Sequence, residues 1–192
     1  MAQQLSFEGF EPPPSAPLDP VFFALLPDRE AQGQIDAVAQ ALSREHRLTG
    51  RRTALHRLHV SLCGVRWPRD KAAKLVPLAD SLARRASLFQ FEASFDRALS
   101  LKSRSGNYPL VLVSRTGEIL DLYRLLQGRL ARAVGGEEHG KIMPHITMLY
   151  DPAMVLEQAI EPVTWTVREL VLIHSLRGLT RHVILGRWPL DG

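Results

Sequence analysis

A single cysteine, Cys63, stands in this chain of 192 residues. No internal disulfide can form and one thiol cannot anchor a structural zinc, so the fold has to rest on an apolar core. A reducing, cytoplasmic setting is the expectation. No run of about 18 apolar residues occurs, which argues against a transmembrane helix and a membrane partner. The opening Met1-Ala2-Gln3-Gln4-Leu5 has neither the basic nor the apolar region of a secretory signal. Glycine-rich phosphate loops of the two common types are missing. Lysine is also scarce, with 4 Lys against 20 Arg in a net charge of +4. Guanidinium groups suit phosphate or nucleic acid, but a coding bias toward arginine explains the same composition. No long basic run accompanies them, so charge alone assigns no function.

The apolar and charged fractions, 45% and 23%, are those of an ordinary globular chain. Residues 1–20, with Pro12, Pro13, Pro14, Pro17 and Pro20, read as a flexible tail, which leaves 21–190 as one domain or two lobes sharing a core. Val21 to Leu26 reads as a buried strand. Asp28 can cap a helix whose apolar stripe is Ile35, Val38, Ala39 and Leu42. A strand over 57–65, a helix over 69–86 and a half-buried strand from Phe89 to Asp96 follow. Ser105-Gly106-Asn107 marks a turn before the partner strand at Leu110 to Val113. A helix over 117–134 then ends at Gly135-Gly136. The strand around His145, a short segment readable as helix, and strands over 165–175 and 181–188 turning at Gly178 complete the chain. The order β-α-β-α-β-β-α-β-(α)-β-β predicts an α+β fold with mainly antiparallel sheet.

Two segments repeat one pattern: Leu58-His59-Val60-Ser61-Leu62 and Pro144-His145-Ile146-Thr147-Met148. On a strand, residues two apart share a face, so His59 points with Ser61 and His145 with Thr147, while Val60 and Ile146 turn into a core. A histidine on a strand is more often a hydrogen-bonded structural residue than a catalyst, so either pattern alone favours the structural reading, and only the match between the two favours catalysis. Together, on two strands that each follow a helix, they can face across a cleft. Arg57 shares the parity of His59 and is a candidate substrate contact, with a surface salt bridge as its alternative. Tyr150, at the end of the second strand, can stack on a base or fill the core. Lys141 shares the parity of His145 but is separated from it by Pro144. His56 and His59 fall on opposite faces of a strand, which disfavours shared metal ligation. His46, His139 and His182 read as solvated and His174 as structural. No Asp, Glu or Cys cluster completes a metal set.

Phe22-Phe23-Ala24-Leu25, the two histidine segments and the closing Leu170-Val171-Leu172 resemble the 2H phosphoesterase superfamily, in its bacterial 2′-5′ RNA ligase-like branch, also called RNA 2′,3′-cyclic phosphodiesterases. The resemblance spans about residues 20–190. It implies a bilobal α+β fold with two mainly antiparallel sheets flanking a central cleft and helices outside. It makes His59 and His145 the catalytic pair, with Ser61 and Thr147 holding phosphate oxygens and no metal or other cofactor. Ser61 stands where threonine is common, which keeps the hydroxyl. Tyr150 stands where arginine is frequent, which bears on substrate preference.

The reaction so implied opens a 2′,3′-cyclic phosphate at an RNA end or on a nucleotide to a 2′-phosphate, with 2′-5′ RNA ligation as a related activity and a monomer as the working unit. His145 is assigned as base and His59 as acid, with the reverse order open. The alternative from another class is an RNA-end-binding module in which the same four residues only grip phosphate.

Overall fold

In the computed structural model, residues 17–84, 89–103, 106–134 and 142–192 are described. Eight strands and three α-helices follow one another: β1 (Leu18–Leu25), α1 (Arg29–Glu45), β2 (Val60–Pro68), α2 (Val76–Arg84), β3 (Phe91–Ser100), β4 (Tyr108–Ser114), α3 (Gly117–Val134), β5 (His145–Asp151), β6 (Gln158–Val167), β7 (Glu169–Leu176) and β8 (Arg181–Pro189). The Asp28 carboxylate accepts from the Ala31 N–H at 2.9 Å and caps α1, which buries Ala31, Ile35, Ala39 and Leu42. The α3 helix covers the residues read as helix from the sequence, 117–134.

All strand pairs are antiparallel, in the order β6-β3-β4-β5-β2-β1-β7-β8. The fold is α+β. The two sheets implied by the resemblance are the halves β6-β3-β4-β5 and β2-β1-β7-β8, joined into one hydrogen-bonded order by a single pairing, Val60 with Ile146. Both residues are fully buried. Each half contains one β-α-β unit, β1-α1-β2 or β4-α3-β5. The helix of each unit packs across the junction, α1 on β5 and β6, α3 on β2. This exchange wraps the join in core and leaves the opposite face of the two central strands open.

Several boundaries differ from the sequence reading, each for a local reason. β1 starts at Leu18, inside the segment read as a tail; residues 1–16 lie outside the described residues. Asp19 explains the early start. Its buried carboxylate takes hydrogen bonds from Arg69 Nε at 2.7 Å and the Arg177 N–H at 3.1 Å, and bonds His174 Nε2 at 2.9 Å. The helix expected over 69–86 divides into a 3₁₀ stretch, Arg69–Leu75, and α2, because Pro77 has no N–H for a helix interior. Residues 85–88 lie outside the described residues, as do Ser105, Gly135, Gly136, His139 and Lys141.

The segment after β5 is extended rather than helical. Val155 exchanges hydrogen bonds with Ser100, its N–H to the Ser100 hydroxyl at 3.0 Å and its carbonyl from the Ser100 N–H at 2.9 Å. What read as one strand over 165–175 is the end of β6 and most of β7, with Arg168 between them. Pro162 is tolerated because β6 is an edge strand. In β3 the alternation that begins at Ala93 and Phe95 breaks at a bulge between Phe95 and Arg97, so the buried set resumes at Ala98 and Ser100. Phe89, the expected start of that strand, precedes β3 and is 67% exposed.

Candidate active site

The Val60–Ile146 pairing decides the geometry. In antiparallel register it sets His59 beside Thr147 and Ser61 beside His145, all four on the face opposite the core. The crossed arrangement puts a histidine of one half next to a hydroxyl of the other. His59 lies just before β2, after a 3₁₀ turn at Leu55–Arg57, rather than inside a strand running from residue 57.

Both imidazoles are held in the same way. His59 Nδ1 lies 2.7 Å from the Arg57 carbonyl, and His145 Nδ1 lies 2.8 Å from the Met143 carbonyl. A carbonyl only accepts, so each Nδ1 carries a proton and each Nε2 is the nitrogen left for chemistry. Burial is the main influence on His59 and pushes its pKa below the ordinary value. The Arg57 carbonyl opposes this, and the Arg57 and His145 charges add to the lowering.

The sequence reading missed His182. It is half-buried on β8 rather than solvated. Its ring meets His59 edge-on, with centroids 5.0 Å apart at 80°. Phe22 completes the cluster, 5.4 Å from His59 and 6.2 Å from His182. Register accounts for it: Phe22, Ile173 and Ile184 pair across β1, β7 and β8, and His182 precedes Ile184 by two. Burial, then the His59, Arg57 and His56 charges, bring His182 down to about 4, so it stands neutral against His59 at neutral pH.

Arg97 was missed as well, because uninterrupted alternation would have put it on the core side with Phe95. After the bulge it pairs with Val113, which also pairs with His145, so Arg97 joins the open face two strands from His145. Its Nε is buried without a hydrogen-bond partner, and so is that of Arg57. Neither guanidinium has a carboxylate partner among the described residues. Arg57 sits in the 3₁₀ turn, where strand parity does not apply, and Tyr150 is 53% exposed at the end of β5.

The other histidines lie elsewhere. His174 is buried in the Asp19–Arg69 network, and His46 approaches Gln158 at 3.2 Å. Cys63 is buried, which pushes its thiol up to about 12. Among the described residues no three His, Cys, Asp or Glu side chains gather as metal ligands, and no helix is long and apolar enough to cross a membrane.

A family model described as the 2′-5′ RNA ligase superfamily matches residues 27–179. The fold is similar to that of E. coli LigT in apo form, at 25% identity and a TM-score of 0.68, covering 92% of this chain and 100% of LigT. LigT complexed with 3′-AMP matches at 26% identity and a TM-score of 0.66, covering 91% and 99%. TT0787 of Thermus thermophilus shares the fold at 19% identity, with a TM-score of 0.73 over 90% of this chain and 98% of that one. No curated protein sequence matches significantly.

Proposed function

The chain belongs to the 2′-5′ RNA ligase superfamily of 2H phosphoesterases, and from that premise we propose that it opens the 2′,3′-cyclic phosphate of an RNA end or a nucleotide to a 2′-phosphate, by acid–base catalysis between His59 and His145. The observation that carries this reading is the duplicated hydrogen bond from Nδ1 to the carbonyl two residues earlier. Two imidazoles in the same tautomer, one just before β2 and one at the start of the adjoining β5, offer two Nε2 atoms to one phosphate. One takes a proton while the other gives one.

The reaction balances without a further group. One Nε2 removes a proton from water as its oxygen bonds to phosphorus. The P–O3′ bond breaks, and the other imidazolium protonates the departing 3′ oxygen. An RNA 5′-hydroxyl in place of water gives a 2′-5′ linkage by the same steps. Ser61 and Thr147 donate to the nonbridging oxygens, and Arg57 and Arg97 supply cations with no carboxylate of their own. The lowered proton affinity of His59 supports giving it the base role in hydrolysis, the reverse of the assignment preferred from sequence. That LigT has been solved with 3′-AMP, ATP and NADP+ supports a nucleotide as the ligand class.

Incubation with a nucleoside 2′,3′-cyclic phosphate should yield the 2′-phosphate, resolved by chromatography, at a rate unaffected by EDTA. His59→Ala and His145→Ala should each lower kcat at least about a hundredfold with unchanged circular dichroism. Near-normal turnover in either variant, or binding of the cyclic nucleotide without product, overturns the reading in favour of an end-binding module.

A further inference from the structure

Beside the histidine pair lies an open pocket of about 730 Å³, lined by Arg51, Arg52, His56, Arg57, Tyr150 and Thr180. Three chain segments run from the candidate active site directly into its walls. Arg57 precedes His59 by two residues, Thr180 precedes His182 by two, and Tyr150 follows Thr147 by three. The pocket therefore continues the site. Its charge is one-sided: the lining holds three arginines and one carboxylate, Asp36, already paired with Arg52 at 3.0 Å. Arg51 is exposed and has no carboxylate partner among the described residues.

The arginines stand on a fixed wall. The Thr49 and Gly50 N–H groups both donate to the buried Asp151 carboxylate at 2.7 Å, and the Thr53 N–H donates to the Met148 carbonyl at 2.7 Å. Arg52 makes an isolated bridge with Leu149. The contact is so close that a Cβ on Gly50 would lie 2.0 Å from the Tyr150 carbonyl oxygen. Residues 49–53 are thus laid along β5, and the backbone that carries Arg51 and Arg52 is fixed beside the pocket before any ligand arrives.

We propose that this pocket is a subsite for the phosphodiester backbone of single-stranded RNA, upstream of a terminal cyclic phosphate held between His59 and His145; the proposal rests on the reaction put forward above. A cyclic phosphate closes the 3′ end, so the chain leaves the catalytic phosphate on its 5′ side and needs a cationic path there. Arg51 and Arg57, the lining arginines without a carboxylate partner among the described residues, supply the path, and the exposed Tyr150 ring supplies a face on which a base can stack. A mononucleotide leaves the pocket empty, so the pocket selects oligonucleotides.

The test compares kcat/KM for a nucleoside 2′,3′-cyclic phosphate with that for a hexanucleotide ending in the same group. The hexanucleotide should be favoured at least about tenfold at low salt. Its advantage should fall as salt rises, with a log–log slope near −0.7 for each phosphate bound. Arg51→Glu and Thr180→Asp should each cut the hexanucleotide value about tenfold and leave the mononucleotide value within about twofold, which also shows that the variants fold. Equal values for the two substrates, or equal losses on both in Arg51→Glu, overturn the subsite. If the protein opens neither substrate, the reaction fails rather than the subsite. Fluorescence anisotropy with a hexanucleotide 3′-phosphate then decides the subsite: about tenfold weaker binding by Arg51→Glu upholds it, and unchanged binding removes it.

Discussion

Burial, the Arg57 charge and the His145 charge all lower the proton affinity of His59, and only the hydrogen bond to the Arg57 carbonyl opposes them. A base works in its neutral form, so activity is lost as pH falls through the base's pKa. With His59 as base, the acid limb of kcat/KM should lie below the ordinary histidine value of 6.5. Arg57→Gln removes one of the lowering charges and should move that limb upward. A pH–rate profile of both proteins on a cyclic mononucleotide checks this, and a limb that does not move would separate Arg57 from His59 electrostatically. His182 contributes in a different way: brought down to about 4, it packs against His59 without adding charge through the neutral range.

At the scale of elements, the site depends on how β2 meets β5. Their one pairing, Val60 with Ile146, lies between the histidines and hydroxyls it aligns, and both side chains are fully buried. Truncating Ile146 to Ala leaves a cavity at the join and should lower unfolding free energy by about 2–5 kcal/mol, read by urea denaturation. The same variant should slow turnover of the cyclic mononucleotide, because His145 and Thr147 flank the residue removed. Full activity together with that loss of stability would show that the junction holds the fold but does not set the site. The β3 bulge is a second device of this kind. One extra residue turns Arg97 from the core side to the open face.

Across the whole molecule, two buried carboxylates tie distant segments together. Asp19 links β1 to Arg69, His174 and Arg177; Asp151 holds residues 49–50 on β5. The Arg69 hydrogen bond is the largest influence on Asp19 and, over the opposing effect of burial, holds its pKa well below the ordinary 3.8. At Asp151 burial acts upward but is outweighed by hydrogen bonds from the backbones of Ala153, Gly50 and Thr49, so its pKa is also lowered. A carboxylate depressed in the folded state contributes stability above its unfolded pKa and loses it as pH falls through the folded one. Tm should therefore drop progressively below about pH 3.8, and Asp19→Asn should flatten the drop while lowering Tm at neutral pH. Thermal melts between about pH 2 and 7 check both.

Much of this protein was legible in its sequence because the signals are local. The Asp28 cap and its apolar stripe marked α1, and a period of two placed Val60 and Ile146 inside with their polar neighbours outside. Those features need only 3.6-residue or two-residue geometry. Tertiary structure alone decided the rest. The bulge that turns Arg97 and the packing of Phe22 and His182 on His59 come from pairings between residues far apart in the chain. Above all, the sequence by itself determined that each histidine has a hydroxyl two residues on. Only the Val60–Ile146 register set each histidine beside the other strand's hydroxyl, because inter-strand neighbours are fixed by backbone hydrogen bonding across the sheet and not by spacing along one strand.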